Sequence, residues 1–260
     1  MRKKIVFAFI GLVLLSFKSS LTALGNDISM TETRAVWVDK SDMYKGKEYL
    51  SEMFDKLARA NFNKVYLPVM YKGKVIYKGS KYLPEDNLAA NIDVDLLKWM
   101  IAEAHKRGLQ VDAWPEYGFY MYHTPKADND KSRGYVLDKN PELTALDIDG
   151  KPYLHHPQWG DYYSLCPGNP ESHKILIDIF SEIITRYDFD GINLDRIRYP
   201  SKNFCFCGYC RKHFKDDTGF ELNKEGLVNG NTLDAFYRWR KEQLNKFMKK
   251  LSSAIRQMKP

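Results

Sequence analysis

Short β-branched and aromatic strands alternate along this chain with amphipathic helices, and that alternation restricts the fold more than any other feature. "TRAVWV" (33–38) reads as a strand, and Lys47 to Ala60 as a helix with Leu50, Met53, Phe54 and Leu57 on one face. "NKVYLPV" (63–69) is a second strand. The next helix runs from Asp93, its cap, to Arg107, with an apolar face of Leu96, Leu97, Met100, Ile101 and Ala104 and a stop at Gly108. "LQVDAWPE" (109–116) is a third strand. After a long polar and aromatic passage, Asn169 and Pro170 open a helix burying Ile175, Leu176, Ile179, Phe180 and Ile183. "DGINLDRI" (190–197) is a fourth strand, and a last helix, about Thr232 to Met258, carries Phe236, Leu244, Phe247, Met248 and Leu251.

Strands and helices in this order predict an α/β fold with a parallel sheet and helices outside it. A doubly wound sheet usually has a Gly-rich turn after its first strand, and "WVDKSDM" (37–43) has none, which favours a (β/α)8 TIM-type barrel. A complete barrel takes about 250 residues. Here only four strands are legible before the chain reaches "RQMKP", so the expectation is a barrel truncated at its C-terminus, with residues 24–260 forming one incomplete domain.

The first residues set the compartment. Arg2, Lys3 and Lys4 precede an apolar run of 13 residues from Ile5 to Phe17, and small or polar residues follow around Thr22 and Ala23. This reads as a signal peptide over residues 1–23. The run is shorter than the roughly 20 residues that span a bilayer, and no later segment is a candidate span. Export to the periplasm, cell envelope or medium is expected. The formal charge of +7 includes Arg2, Lys3, Lys4 and Lys18 of the leader, so 36 basic residues face 33 acidic ones in the remainder. That weak bias, spread without a basic face, argues against a nucleic-acid partner. No phosphate-cradling loop, G-x-S-x-G elbow or H-E-x-x-H helix is present, which argues against nucleotide, serine-hydrolase and zinc-protease chemistry.

In a parallel barrel, functional groups gather at the C-terminal ends of inward-facing strand positions. Asn193 and Asp195 share one face of the fourth strand, and Gln110, Asp112, Trp114 and Glu116 share one face of the third. Asp195 and Glu116 therefore meet at one mouth, the two-carboxylate arrangement that glycoside hydrolysis uses. Arg196 and Arg198 either neutralise Asp195 or bind substrate oxygens. "MYKGKVIYKGSKYLP" (70–84) and "EYGFYMYH" (116–123) place Tyr71, Tyr77, Tyr82, Tyr117, Phe119, Tyr120 and Tyr122 in loops above the strands. Such rings either cover sugar faces or pack the loops. Asn193, Arg196, Arg198, Trp114, Tyr117 and Tyr77 are the candidate substrate-binding residues.

All four cysteines lie in "SLCPGNP" (164–170) and "FCFCGYCRKHF" (204–214). Cys205, Cys207 and Cys210 are too closely spaced for easy internal pairing, and Cys166 would complete a four-thiolate structural zinc site. Disulfides are the alternative in an exported protein. A closed site of this kind stiffens a loop, so no catalytic cofactor is expected. His105, His155, His156 and His213, each alone on a helix or in a loop, read as surface or packing residues.

"RAVWV", "NFNKVYLPV", "EAHKRGLQVDAWPEYGF", "LCPGNPES" and above all "FDGINLDRIRYP" (189–200) resemble blocks of the glycosyl-hydrolase-like family 10 proteins, over about residues 33–258. The resemblance implies a (β/α)8 barrel, an exported or envelope-bound bacterial protein and hydrolysis of a polysaccharide. Some relatives act on peptidoglycan glycan strands stripped of peptide. It makes Asp195 the leading catalytic residue and puts Glu116 in the cleft. Some relatives carry a second acid directly after this Asp, where this chain has Arg196. The cysteine pattern is also similar to the zinc cluster of family 42 β-galactosidases.

Overall fold

The computed structural model describes residues 32–87, 95–124 and 132–259. The leader and the Asp93 cap lie outside these residues. Four strands form a parallel sheet in chain order: β1 (Ala35–Trp37), β2 (Lys64–Tyr71), β4 (Gln110–Pro115) and β8 (Gly191–Ile192). The short β3 (Lys74–Val75) folds back antiparallel on β2. A doubly wound sheet reverses its strand order at a switch point. Strands that add in one direction are the first half of a barrel wall.

Helices α1 (Lys40–Met43) and α2 (Lys47–Arg59) follow β1, α3 (Leu96–His105) leads into β4, and α5 (Pro170–Arg186) leads into β8. The third strand and the long helices match the expected spans to within a few residues. α3 is capped by the Asp95 side chain, which accepts from the Lys98 N–H, and α5 by Asn169, which accepts from the Glu171 N–H. The fourth strand is shorter than expected. Its hydrogen bonds to β4 cover Gly191 and Ile192, with the Asn193 N–H adding one to Ala113 O, and Arg196 ends the run at φ 50°.

The two faces of the sheet differ sharply. Val65, Leu67, Val111 and Ala113 point outward and pack with Leu50 and Phe54 of α2, Leu97, Met100 and Ile101 of α3, and Ile179 and Phe180 of α5. The inner face carries Trp37, Tyr66 and Trp114, the Asn193 side chain, and a Lys64–Asp112 ion pair at 3.0 Å. Gly191 faces that pair so closely that a Cβ would come within 2.7 Å of the Asp112 carboxylate.

Pro68 sits in the central strand, where it has no N–H for the ladder. The register slips there, from Pro68 opposite Trp114 to Met70 opposite Pro115. Odd-numbered residues of β2 face outward before this bulge. The slip reverses the parity and brings Tyr71 onto the same face as Glu116.

Two parts of the chain depart from a plain βα repeat. Between β4 and α5, strands β5 (Tyr120–Thr124), β6 (Tyr153–His156) and β7 (Gly160–Ser164) make a separate antiparallel sheet ordered β5-β7-β6, with α4 (Tyr135–Lys139) in the connection between β5 and β6. After β8, α6 (Gly208–Thr218), α7 (Lys224–Val228) and the first half of α8 (Gly230–Met258) enclose a second apolar cluster around Phe206, Phe214, Phe236 and Trp239. The rest of α8 returns to the main core through Phe247 and Leu251, whereas Met248, expected on the buried face, is 40% exposed. Among the described residues, no helix is long and apolar enough to cross a membrane.

Leu67 lies fully buried on the central strand between two layers. Leu67→Ala is expected to lower unfolding free energy by about 2–5 kcal/mol, read from the urea midpoint at unchanged slope.

Candidate active site

The C-terminal ends of all four parallel strands supply side chains to one mouth. Asp39 and Lys40 follow β1, Tyr71 ends β2, Glu116 follows β4 and Asp195 follows β8. Arg196 binds the last two together. Its Nη1 lies 3.1 Å from Glu116 Oε1 and 3.7 Å from Asp195 Oδ2, and it also donates to the Glu116 carbonyl at 2.7 Å.

The backbone makes this geometry. Arg196 adopts a left-handed conformation, unusual for a residue with a Cβ, and its N–H bonds to Asp195 Oδ1 at 2.6 Å. The turn directs the guanidinium back over the Tyr117 ring, 4.5 Å from its centre. Tyr117 in turn meets Tyr71 edge-on at 5.0 Å, and Lys40 Nζ sits 4.6 Å from the Tyr71 ring centre. Lys40 is held by Asp86 at 2.7 Å, with the Tyr44 hydroxyl on the other carboxylate oxygen.

Gly118 lets the two strand ends approach. A Cβ there would sit 2.3 Å from the Asp195 carbonyl and 2.9 Å from that of Arg196.

Burial pushes the Glu116 carboxyl above the usual carboxylate range. The Arg196 charge and hydrogen bond pull it down, and Asp195 and Asp39 push it up again, with a net rise. Burial lowers the neighbouring Lys72 ammonium, and Lys40 adds to that. The mouth thus sets a mostly buried carboxyl, Glu116, beside one more open to solvent, Asp195.

Below the mouth, the inner face offers a ring-shaped floor. Trp37 is 54% exposed, with its indole N–H donating to Asn193 Oδ1 at 3.1 Å and its ring 4.9 Å from that of Tyr66. Trp114 stands 6.5 Å from Trp37, and its own buried Nε1 has no hydrogen-bond partner among the described residues.

The structure therefore brings Asp195, Glu116, Arg196, Tyr117, Asn193 and Trp114 to one region. Arg198 is exposed, with its guanidinium 6.0 Å from the Tyr120 ring, and of the two arginines it is Arg196 that pairs with Asp195. The expectation for Tyr77 is corrected. It is 3% exposed and packs on Tyr187 and Arg186 at the far end of α5, because the chain after β3 folds down the outside of the sheet. Phe119 and Tyr120 are likewise buried, against Phe247 and Tyr162, so these loops are largely packed by their own aromatics. Asp39, Lys40 and Lys72 belong to no motif in the sequence, and Trp37 reads there only as strand. Their position directly at strand ends was the available signal.

Cys166, Cys205, Cys207 and Cys210 meet in the second apolar cluster, all buried. Among the histidines, His105 pairs with Asp190 at 2.9 Å and His155 with Asp161 at 2.7 Å.

A sequence profile described as Glycosyl hydrolase-like 10 matches residues 32–260. The chain is 25% identical to Glycosyl hydrolase YngK of Bacillus subtilis (strain 168), over 100% of this chain and 49% of that protein. It is also 25% identical to Glycosyl hydrolase DigH of Escherichia coli (strain K12), over 82% of this chain and 46% of that protein. It thus spans about half the length of the curated relatives it matches. Among solved structures, the PgaB (BpsB) glycoside hydrolase domain from Bordetella bronchiseptica superposes with a TM-score of 0.64 at 16% identity, over 88% of this chain and 62% of that one. Alpha-L-fucosidase isoenzyme 2 from Paenibacillus thiaminolyticus gives 0.62 at 18% identity, over 88% and 31%. These likenesses agree with a TIM-type barrel fold, of which the parallel sheet here is the first half.

Gly118→Ala is expected to force Asp195 and Arg196 apart from β4 and to destabilise by about 1–3 kcal/mol. Gly230→Ala, where a Cβ meets nothing within 4 Å, should stay within about 0.5 kcal/mol. Urea unfolding of the two variants makes the comparison.

Proposed function

The chain belongs to the glycosyl hydrolase-like 10 family, and on that premise we propose that it is a glycoside hydrolase acting on a polysaccharide. The observation that carries this reading is the convergence of Glu116 and Asp195, from two different strands, on one guanidinium nitrogen at the barrel mouth. Glu116 is the general acid, since burial keeps its proton on above the usual range. Asp195, more open to solvent, is the nucleophile or base. A shared contact to one nitrogen keeps their nearest oxygens within the sum of the two contacts. That bound is compatible with both the about 5.5 Å of a retaining pair and the roughly 6.5–9.5 Å of an inverting pair.

Arg196 positions both acids and must yield its Glu116 contact when the leaving-group oxygen takes that place. Trp37 and Trp114 offer flat faces for a sugar ring, and Asn193 a hydrogen bond to a hydroxyl. A finer reading, that the polysaccharide is the glycan backbone of peptidoglycan freed of peptide, is supported by the family resemblance. The leader-like N-terminus supports export to where such strands occur.

Reducing-end release from peptide-free glycan strands and from a panel of other polysaccharides tests the assignment. Asp195→Asn should abolish release while leaving the melting temperature within a few degrees. Equal release by that variant would overturn it. Binding without release by the folded wild-type chain would favour a glycan-binding protein whose acids stay locked on Arg196.

The pH profile gives a second test. A general acid must carry its proton, so the rate falls as pH rises through the Glu116 pKa, and the raised value extends activity upward. Glu116→Gln should remove that alkaline limb and lower kcat by about 10²–10⁴-fold. Arg196→Gln removes the charge that pulls Glu116 down and should move the limb to higher pH.

A further inference from the structure

Four thiols and a buried cation share the second apolar cluster, remote in role from the carboxylate mouth. Their ligand atoms all lie within 4.8 Å of one another, with Cys166 Sγ 3.3 Å from Cys210 Sγ and 3.5 Å from Cys207 Sγ. All four cysteines are free. A tetrahedral zinc thiolate with Zn–S of about 2.3 Å has sulfur–sulfur edges of about 3.8 Å. The observed group needs only small side-chain adjustments to reach that size.

The local backbone suits metal ligation. Cys207 caps α6 in an extended conformation and Cys210 lies in its first turn, with the Cys210 N–H turned to the Cys207 sulfur. Gly168 packs directly on the cluster, where a Cβ would come within 2.7 Å of Cys210 Sγ and 3.3 Å of the Tyr199 hydroxyl. That hydroxyl is buried and has no hydrogen-bond partner among the described residues.

The charge balance points the same way. Arg240 is only 9% exposed, stacks on Tyr199 at 4.1 Å and donates to the carbonyls of Ser201 and Lys202. Among the described residues, no carboxylate pairs with it. A buried guanidinium without a counter-charge is costly. Two disulfides would be neutral and would leave it so. A divalent ion on four thiolates carries a net charge of minus two and supplies the missing negative partner.

We propose that Cys166, Cys205, Cys207 and Cys210 hold a structural zinc ion, with Arg240 as its outer counter-charge. The site is closed by four protein ligands, so it takes no part in bond cleavage. It fastens the end of β7 and the entry to α5, through Cys166, to the segment that leaves Asp195 and Arg196 and ends at Cys205.

Metal analysis of the purified wild-type chain should find zinc equimolar with protein. Cobalt substitution should give thiolate-to-metal charge-transfer absorption and the visible bands of tetrahedral cobalt. Chelation should lower the melting temperature by about 10 °C or more, and zinc but not magnesium should restore it. Alkylation in denaturant with chelator and no reductant should modify all four cysteines. Metal-free protein with two disulfides, or four free thiols that take up neither zinc nor cobalt, would overturn the proposal. Arg240→Met, which leaves every ligand in place, should weaken zinc retention against a competing chelator by at least tenfold, and unchanged retention would remove Arg240 from the site. Asp195→Asn should keep its zinc, so failure of the hydrolytic reading and failure of this one are separable.

Discussion

The parallel register of β2, β4 and β8 is the constraint on which the site depends. Pairing Tyr66 with Asp112, and Asp112 with Gly191, places the even-numbered residues of β4 and the odd-numbered residues of β8 on one face. Because side chains alternate with a period of two, a slip of one residue would send Glu116 or Asp195 into the helix layer. The apolar outer face, buried against α2, α3 and α5, makes that slip expensive. Burial on one side of the sheet thus fixes the chemistry on the other.

Much of this was legible because it follows from periodicity. Leu97, Met100, Ile101 and Ala104 recur at helical spacing, and all pack where that spacing predicts. The inward parity of Asn193, Asp195 and Glu116 could be counted along the strands. The antiparallel sheet was not legible. "YMYHT", "YLHH" and "GDYYS" set tyrosines and histidines side by side, so polar and apolar positions do not alternate, and pairs such as Tyr122 with Tyr163 pack ring on ring across the strands. Tyr77 was misplaced for a related reason. An aromatic residue after a strand signals a packed loop as readily as a cleft, and only the Ile76 N–H bond to Val69 O shows which way the loop turns.

The Pro68 bulge and the left-handed Arg196 show how irregular backbone adds what regular strands cannot. Without the slip at Pro68, Tyr71 would face the helices rather than Tyr117. Without the turn at Arg196, the side chain following an inward Asp195 would project outward, since neighbours on a strand face opposite ways. The guanidinium instead comes back between two carboxylates. Its charge holds in place a pair of acids that would otherwise repel, yet it does not overcome the desolvation that raises Glu116. The two acids therefore sit close together in unlike surroundings, Glu116 mostly buried and Asp195 more open to solvent.

The position of Asp195 is then set from both directions along the chain. Upstream, the Val111 N–H bonds to Asp190 Oδ2 at 2.7 Å and His105 holds the same carboxylate, fixing where β8 enters the sheet. Downstream, the Phe119 N–H bonds to the Arg196 carbonyl, the Tyr120 hydroxyl to that of Pro200, and Arg240 to those of Ser201 and Lys202. The segment between Arg196 and Cys205 has no helix or strand of its own. Its path is determined by these hydrogen bonds and by the cysteine cluster in which it ends. A carboxylate at the end of a strand with only two ladder residues would otherwise inherit the freedom of the loop after it. Anchoring that loop in a second, separately packed core removes the freedom without adding anything to the mouth itself.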